Sequence, residues 1–80
     1  MNLKPVATEK AIMKIELENT ITFLTDQKNT KPEIKKEIEY LFNVKIDKIR
    51  TQIRDNKKIV YAQLNKKNLA IDIATKLGLM

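Results

Sequence analysis

The sequence predicts an α+β fold: a small antiparallel sheet of three to four strands covered by about three helices, in a single domain over residues 1–80. Three observations carry this expectation. Apolar residues recur at helical spacing in three separate segments, each opened by a capping residue. Between and after them the period changes to two, with β-branched and aromatic residues alternating with polar ones. Two of the alternating runs flank Asp55-Asn56, a dipeptide suited to a tight hairpin turn. Helices interspersed around an antiparallel hairpin bury their apolar sides on a small sheet, which is the α+β arrangement.

The elements follow in order. A short extra strand is expected near Leu3–Val6. Thr8 is placed to cap a first helix over about 8–18, with Ala11, Ile12, Ile15 and Leu17 as its apolar side and Asn19 as its stop. Thr20 to Thr25 alternates as a strand with Ile21 and Phe23 inward, and Asp26 to Asn29 is a polar turn. Thr30-Lys31-Pro32-Glu33 opens the second helix, over about 31–43. Thr30 caps, Pro32 sits where its missing N–H costs nothing, and Glu33 completes a capping box. Ile34, Ile38, Leu41 and Phe42 form its stripe.

From Val44 onward, Val44 and Ile46 share one alternating phase, while Ile49, Thr51 and Ile53 share the opposite one. A one-residue slip would turn the core face to solvent, so a β-bulge is expected near Asp47-Lys48. Lys48, Arg50, Gln52 and Arg54 then project from the other face. The return strand, about 58–64, puts Val60, Ala62 and Leu64 inward and Ile59, Tyr61 and Gln63 outward. Asn68 is expected to cap a last helix over about 69–77, with Ala70, Ile73, Ala74 and Leu77 inward. Gly78 follows as its left-handed terminator, with Leu79 closing the contact beyond it.

The net charge of +6 is unevenly distributed. In residues 1–43 seven lysines balance seven acids, whereas residues 44–80 hold nine cations and three acids. A concentrated basic segment in an otherwise neutral domain is the footprint of a polyanion partner, and equally that of a solvated lysine-rich surface. The chain has no Cys and no His, so it offers no disulfide, no thiolate metal site and no imidazole base. One Gly, at position 78, rules out a Gly-rich phosphate loop. Asp26, Asn29 and Thr30 read as turn and cap rather than as ligands of a hard cation. Nothing here calls for a cofactor or a metal, and the composition argues against catalysis. Apolar runs are too short to span a bilayer, and Met1 to Pro5 lacks the apolar stretch of a signal peptide, so a cytoplasmic location is expected.

The stretch from Thr30 to Ile46, TKPEIKKEIEYLFNVKI, resembles the signature segment of the ribosomal protein L23 family of the large subunit. Pro5 with Thr8-Glu9-Lys10 resembles its opening motif, Ile49-Arg50-Thr51 its strand motif, and Tyr61-Ala62-Gln63-Leu64 its final strand. Ile71 to Gly78 resembles the archaeal and eukaryotic ending of the family. The resemblance implies a ribosome-bound domain contacting large-subunit rRNA and neighbouring ribosomal proteins at the tunnel exit. It also implies a surface where signal recognition particle, nascent-chain chaperones and the translocon dock. Residue by residue, it gives RNA-facing roles to Thr30, Lys31 and Lys35, matches Thr51 to the end of the strand motif, and gives Glu9 the role of the family's exposed acidic docking residue; Lys10, beside it, is a further candidate for rRNA binding. Two departures stand out: Arg50 replaces the Asn usual in the strand motif, and Ala7 replaces a larger apolar residue. Arg54 to Lys57 leaves room only for a turn, so the long tunnel-reaching hairpin of bacterial members is absent and an archaeal-type member is expected.

Physically, a stiff hairpin holding Lys48, Arg50, Arg54, Lys57 and Lys58 is expected to match a row of phosphates. Arginines would bind in bidentate fashion and lysines as point charges. Thr51 is a candidate for a ribose or backbone oxygen. Tyr61 either stacks on an unpaired base or packs beneath a helix on its sheet face. The readings that compete with a ribosomal one are a free-standing basic α+β module binding nucleic acid or protein, and a small enzyme of the acylphosphatase type.

Overall fold

The first two helices begin at local threonine caps, and all three end at a residue in left-handed conformation. In the computed structural model, which describes residues 3–79, the order is β1 (Lys4–Pro5), α1 (Glu9–Glu18), β2 (Thr20–Asp26), α2 (Lys31–Phe42), β3 (Ile46–Arg54), β4 (Lys57–Leu64) and α3 (Ala70–Lys76). The ends of the predicted 1–80 domain, residues 1, 2 and 80, lie outside the described residues. Thr8 Oγ1 accepts the Ala11 amide at 3.2 Å and so caps α1. Thr30 caps α2, and its hydroxyl also donates to Glu33 Oε1 at 2.8 Å. The carboxylate thus closes the box through the side chain of the capping residue. Asn19 and Asn43 terminate α1 and α2 in left-handed conformation, at φ 51° and 53°. Gly78, at φ 76°, ends α3. Its amide donates to Thr75 O and that of Leu79 to Ala74 O, the paired bonds of a Schellman terminus.

The four strands form one antiparallel sheet in the order β1-β2-β4-β3. Asp55 and Asn56 both take positive φ, the geometry a right-twisted two-residue hairpin needs. The predicted bulge is present: the β3–β4 register shifts between Ile46 and Lys48. Ile46 is buried, and Ile49 packs at the edge of the same core despite their opposite phases.

Residues directly paired across antiparallel strands share a face. Ile21, Phe23, Val60, Ala62 and Leu64 therefore form the floor of the core, and Ile34 and Ile38 of α2 and Ala70, Ile73 and Ala74 of α3 close over it. Phe42, at the end of α2, stacks on Phe23 with ring centroids 6.0 Å apart. Fully burying a side chain such as Phe23 or Ile34 contributes about 1.5–3 kcal/mol, and Phe23→Ala would cost about 3–5 kcal/mol.

Three expectations are corrected. Asn68 does not cap α3; the N-cap position is Leu69, which makes no side-chain bond, and Asn68 Oδ1 instead accepts the Lys45 amide at 3.0 Å. Leu41, placed on the α2 stripe, is 53% exposed because Phe42 takes the inward position at that end. Leu17 is 76% exposed, lying two residues past Ile15 and so round the far side of α1.

Candidate nucleic-acid interface

The hairpin register decides which cations act together. Lys48, Arg50, Gln52 and Arg54 pair with Gln63, Tyr61, Ile59 and Lys57, so all eight project from the face opposite the core. Alternate residues on one strand face lie about 6.6 Å apart, which makes Lys48, Arg50 and Arg54 a spaced, exposed row. β3 is also the outer strand of the sheet. Charged side chains along such an edge discourage strand-to-strand association with other chains.

The outer face is not bare. Thr22 pairs with Tyr61 on this side, and α1 lies against it, which leaves Thr20 and Thr22 buried although they point away from the core. Lys14 Nζ sits 5.3 Å from the centre of the Tyr61 ring and 3.5 Å from Glu18 Oε2. The Tyr61 hydroxyl reaches Gln52 Oε1 at 3.4 Å. Of the two settings expected for Tyr61, the structure places it beneath a helix, with a cation over its ring.

This packing brings Lys10 to the hairpin. Lys10, Lys14, Arg50, Gln52 and Tyr61 share one hollow. Lys10, Lys14, Gln52, Arg54 and Tyr61 also line an adjoining cleft of about 480 Å³. Lys14 was missed by sequence reasoning, whereas Gln52 was placed on this face without a role. The signal for Lys14 was present, because it follows Lys10 by one helical turn.

Of the other expected residues, Thr51 also borders this hollow, and the rest lie apart from it. Lys58 pairs with Thr25 and Ile53 on the core face, and its ammonium donates to the Asn29 carbonyl, tying the hairpin to the start of α2. This corrects its inclusion in the cation row, because the same phase that turns Val60 inward turns Lys58 with it. Lys57 keeps the outer face, but its ammonium lies 3.6 Å from Asp26 Oδ1 in an exposed pair. Such a pair contributes at most about 1 kcal/mol. The side chain of Thr51 shares the face of Val60, half-buried, and does not project beside Arg50. Thr30, Lys31 and Lys35 are exposed at the start of α2, on the core side of the sheet. Glu9 is exposed in the first turn of α1. Among the described residues the ion pairs are Lys14–Glu18 and Lys57–Asp26, so Lys10, Lys48, Arg50 and Arg54 face no acid at contact distance. No cluster of metal-ligating side chains is assembled there either, and no helix is long and apolar enough to cross a membrane.

Fold and surface together define a class: small α+β domains that present an uncompensated basic hairpin beside a helix. The sequence model of one family, Ribosomal protein L23, matches residues 1–74. The chain belongs to the ribosomal protein L23 family, as its central segment and motifs imply. It is 46% identical over 77 residues to the large ribosomal subunit protein uL23 of Trypanosoma brucei brucei, covering 95% of this chain and 47% of that protein. It is 44% identical over 77 residues to the large ribosomal subunit protein uL23 of Pyrobaculum aerophilum, covering 94% of both. The chain thus spans about half the length of the first relative and nearly all of the second.

Proposed function

We propose that the protein is a structural component of the large ribosomal subunit that binds large-subunit rRNA through the outer face of the β3–β4 hairpin. The observation that carries this is the row Lys48, Arg50 and Arg54, joined by Lys10 from α1 and left without acidic partners. RNA helices present phosphates and 2′-hydroxyls across a shallow groove and are recognised largely by shape, so a rigid strand pair with fixed cation spacing meets them at little ordering cost. Arg50 and Arg54 engage phosphate oxygens in bidentate fashion, and Lys10 and Lys48 act as point charges. Thr30, Lys31 and Lys35 form a second contact at the exposed start of α2, and Thr51 approaches the RNA from the edge of β3. Membership of a ribosomal family supports a scaffold rather than a catalyst, and favours the ribosome over a free-standing module.

Glu9 belongs to a different surface. It is exposed at the start of α1, within the Thr8-Glu9-Lys10 motif, and it serves partners that dock at the tunnel exit: signal recognition particle and the translocon. The test of the central reading is co-sedimentation with large subunits. The unmodified chain is expected to sediment stoichiometrically and the double variant Arg50→Gln/Arg54→Gln to remain largely in the supernatant. Equal sedimentation of the two would refute it.

A further inference from the structure

The cleft between α1 and the hairpin has a construction that a phosphate row does not need. Its apolar lining comes from Val6, from Ala11 of α1, and from Leu24 and Ile59, which are paired on the sheet. One side wall is the Tyr61 ring, whose face is already taken by the Lys14 ammonium. Arg54 and Gln52 add a guanidinium and an amide to the lining residues. Thr22 lies at the base, 5% exposed, with a buried hydroxyl that has no hydrogen-bond partner. Buried hydroxyls without a partner are uncommon and call for an explanation. At about 480 Å³ the cleft falls in the size range of small-ligand sites. The neighbouring hollow shares Lys10, Lys14, Gln52 and Tyr61 with it and continues the basic track past Arg50.

We propose that this cleft holds a single unpaired nucleotide of the bound RNA, extruded from its helix. The base lies against Leu24 and Ile59 with Tyr61 at its side, Gln52 reads its edge, and its phosphate meets Arg54. The strand then continues over the adjoining hollow toward Arg50. An apolar lining that also carries a cation matches a nucleotide in both respects, being a flat aromatic body attached to an anion. A perfectly paired duplex offers only the anion. The inference rests on the RNA-binding reading above and adds to it a preference for an unpaired position.

The test uses the full chain, methyl-labelled, with two RNA duplexes of equal length, one perfectly paired and one carrying a single unpaired adenosine. Burial of the base against the apolar lining predicts that the second binds on the order of tenfold more tightly. Methyl resonances of Val6, Leu24 and Ile59 are expected to shift with that duplex alone. The uncharged, cleft-filling variant Ile59→Trp should erase the preference and leave binding of the paired duplex and its salt dependence unchanged. Equal affinity for the two duplexes, with methyl resonances unmoved, would overturn the cleft proposal while leaving the electrostatic reading intact. Failure of either duplex to bind at low salt would overturn both, and the methyl shifts of the unmodified protein decide the matter should Ile59→Trp fail to fold.

Discussion

Asn19 and Ala70 are joined across 51 positions: Asn19 Oδ1 accepts the Ala70 amide at 2.6 Å and supplies α3 with the cap that its own flanking residues lack. The same side chain donates through Nδ2 to the carbonyls of Leu64, Asn65 and Asn68, at 3.3, 3.3 and 2.9 Å. Its backbone is left-handed at the end of α1. One residue therefore ends the first helix, starts the third and holds the connection between β4 and α3. Asn fits all these duties, because it tolerates positive φ and carries both a donor and an acceptor.

Replacing it tests this directly. Asn19→Ala should destabilise the protein by about 2–4 kcal/mol, since it strands several part-buried groups and strains the backbone. Asn19→Gly loses the same bonds but keeps the left-handed conformation, so it should lie about 1 kcal/mol above the alanine variant. Urea denaturation midpoints of the three proteins measure both differences.

Thr22→Val should leave stability unchanged or raise it by up to about 1 kcal/mol. It removes a buried hydroxyl that has no partner and substitutes a methyl of the same shape. A loss of more than about 1 kcal/mol by thermal denaturation would show that the hydroxyl is bonded.

Lys58 and Arg50 are predicted to separate stability from binding. Lys58→Met cuts the tie to Asn29 and should lower stability by about 1 kcal/mol or more, with little change in the salt dependence of RNA binding. Arg50→Gln should do the reverse, leaving the denaturation midpoint in place and reducing the magnitude of the logarithmic salt slope by about 0.7–0.9. Filter binding at several salt concentrations, with denaturation of the same samples, distinguishes them.

Glu9→Lys should weaken docking of tunnel-exit factors while subunit incorporation persists. Its exposed position makes the structural cost small, about 0.3–1 kcal/mol through the helix N-terminus. Loss of incorporation would show that Glu9 serves the fold or the RNA contact instead.

Much of this fold is written locally. Thr8, Thr30 and Gly78 mark helix ends through side-chain and backbone rules that act within a few residues, and the phase change between Ile46 and Ile49 requires a bulge whatever surrounds it. What escaped sequence reasoning is long-range. The cap of α3 comes from Asn19, not from the neighbouring Asn68. The strand expected to bury Ile21 and Phe23 also buries Thr20 and Thr22, because α1 crosses the sheet's second face. The candidate interface was legible in the alternation of Lys48, Arg50 and Arg54. Its meeting with Lys10 and Lys14 depends on where α1 packs, and periodicity carries no information about that. Lys58 shows the converse, since its strand phase already turned it inward and grouping cations by sequence proximity overrode that signal.

The central claim is that unpaired cations on the hairpin and α1 neutralise RNA phosphates, and the salt dependence of binding to a large-subunit rRNA fragment tests it most directly. With Lys10, Lys48, Arg50 and Arg54 engaged, a plot of log affinity against log salt should fall with a slope of roughly −3 to −4. A slope near zero would contradict the account.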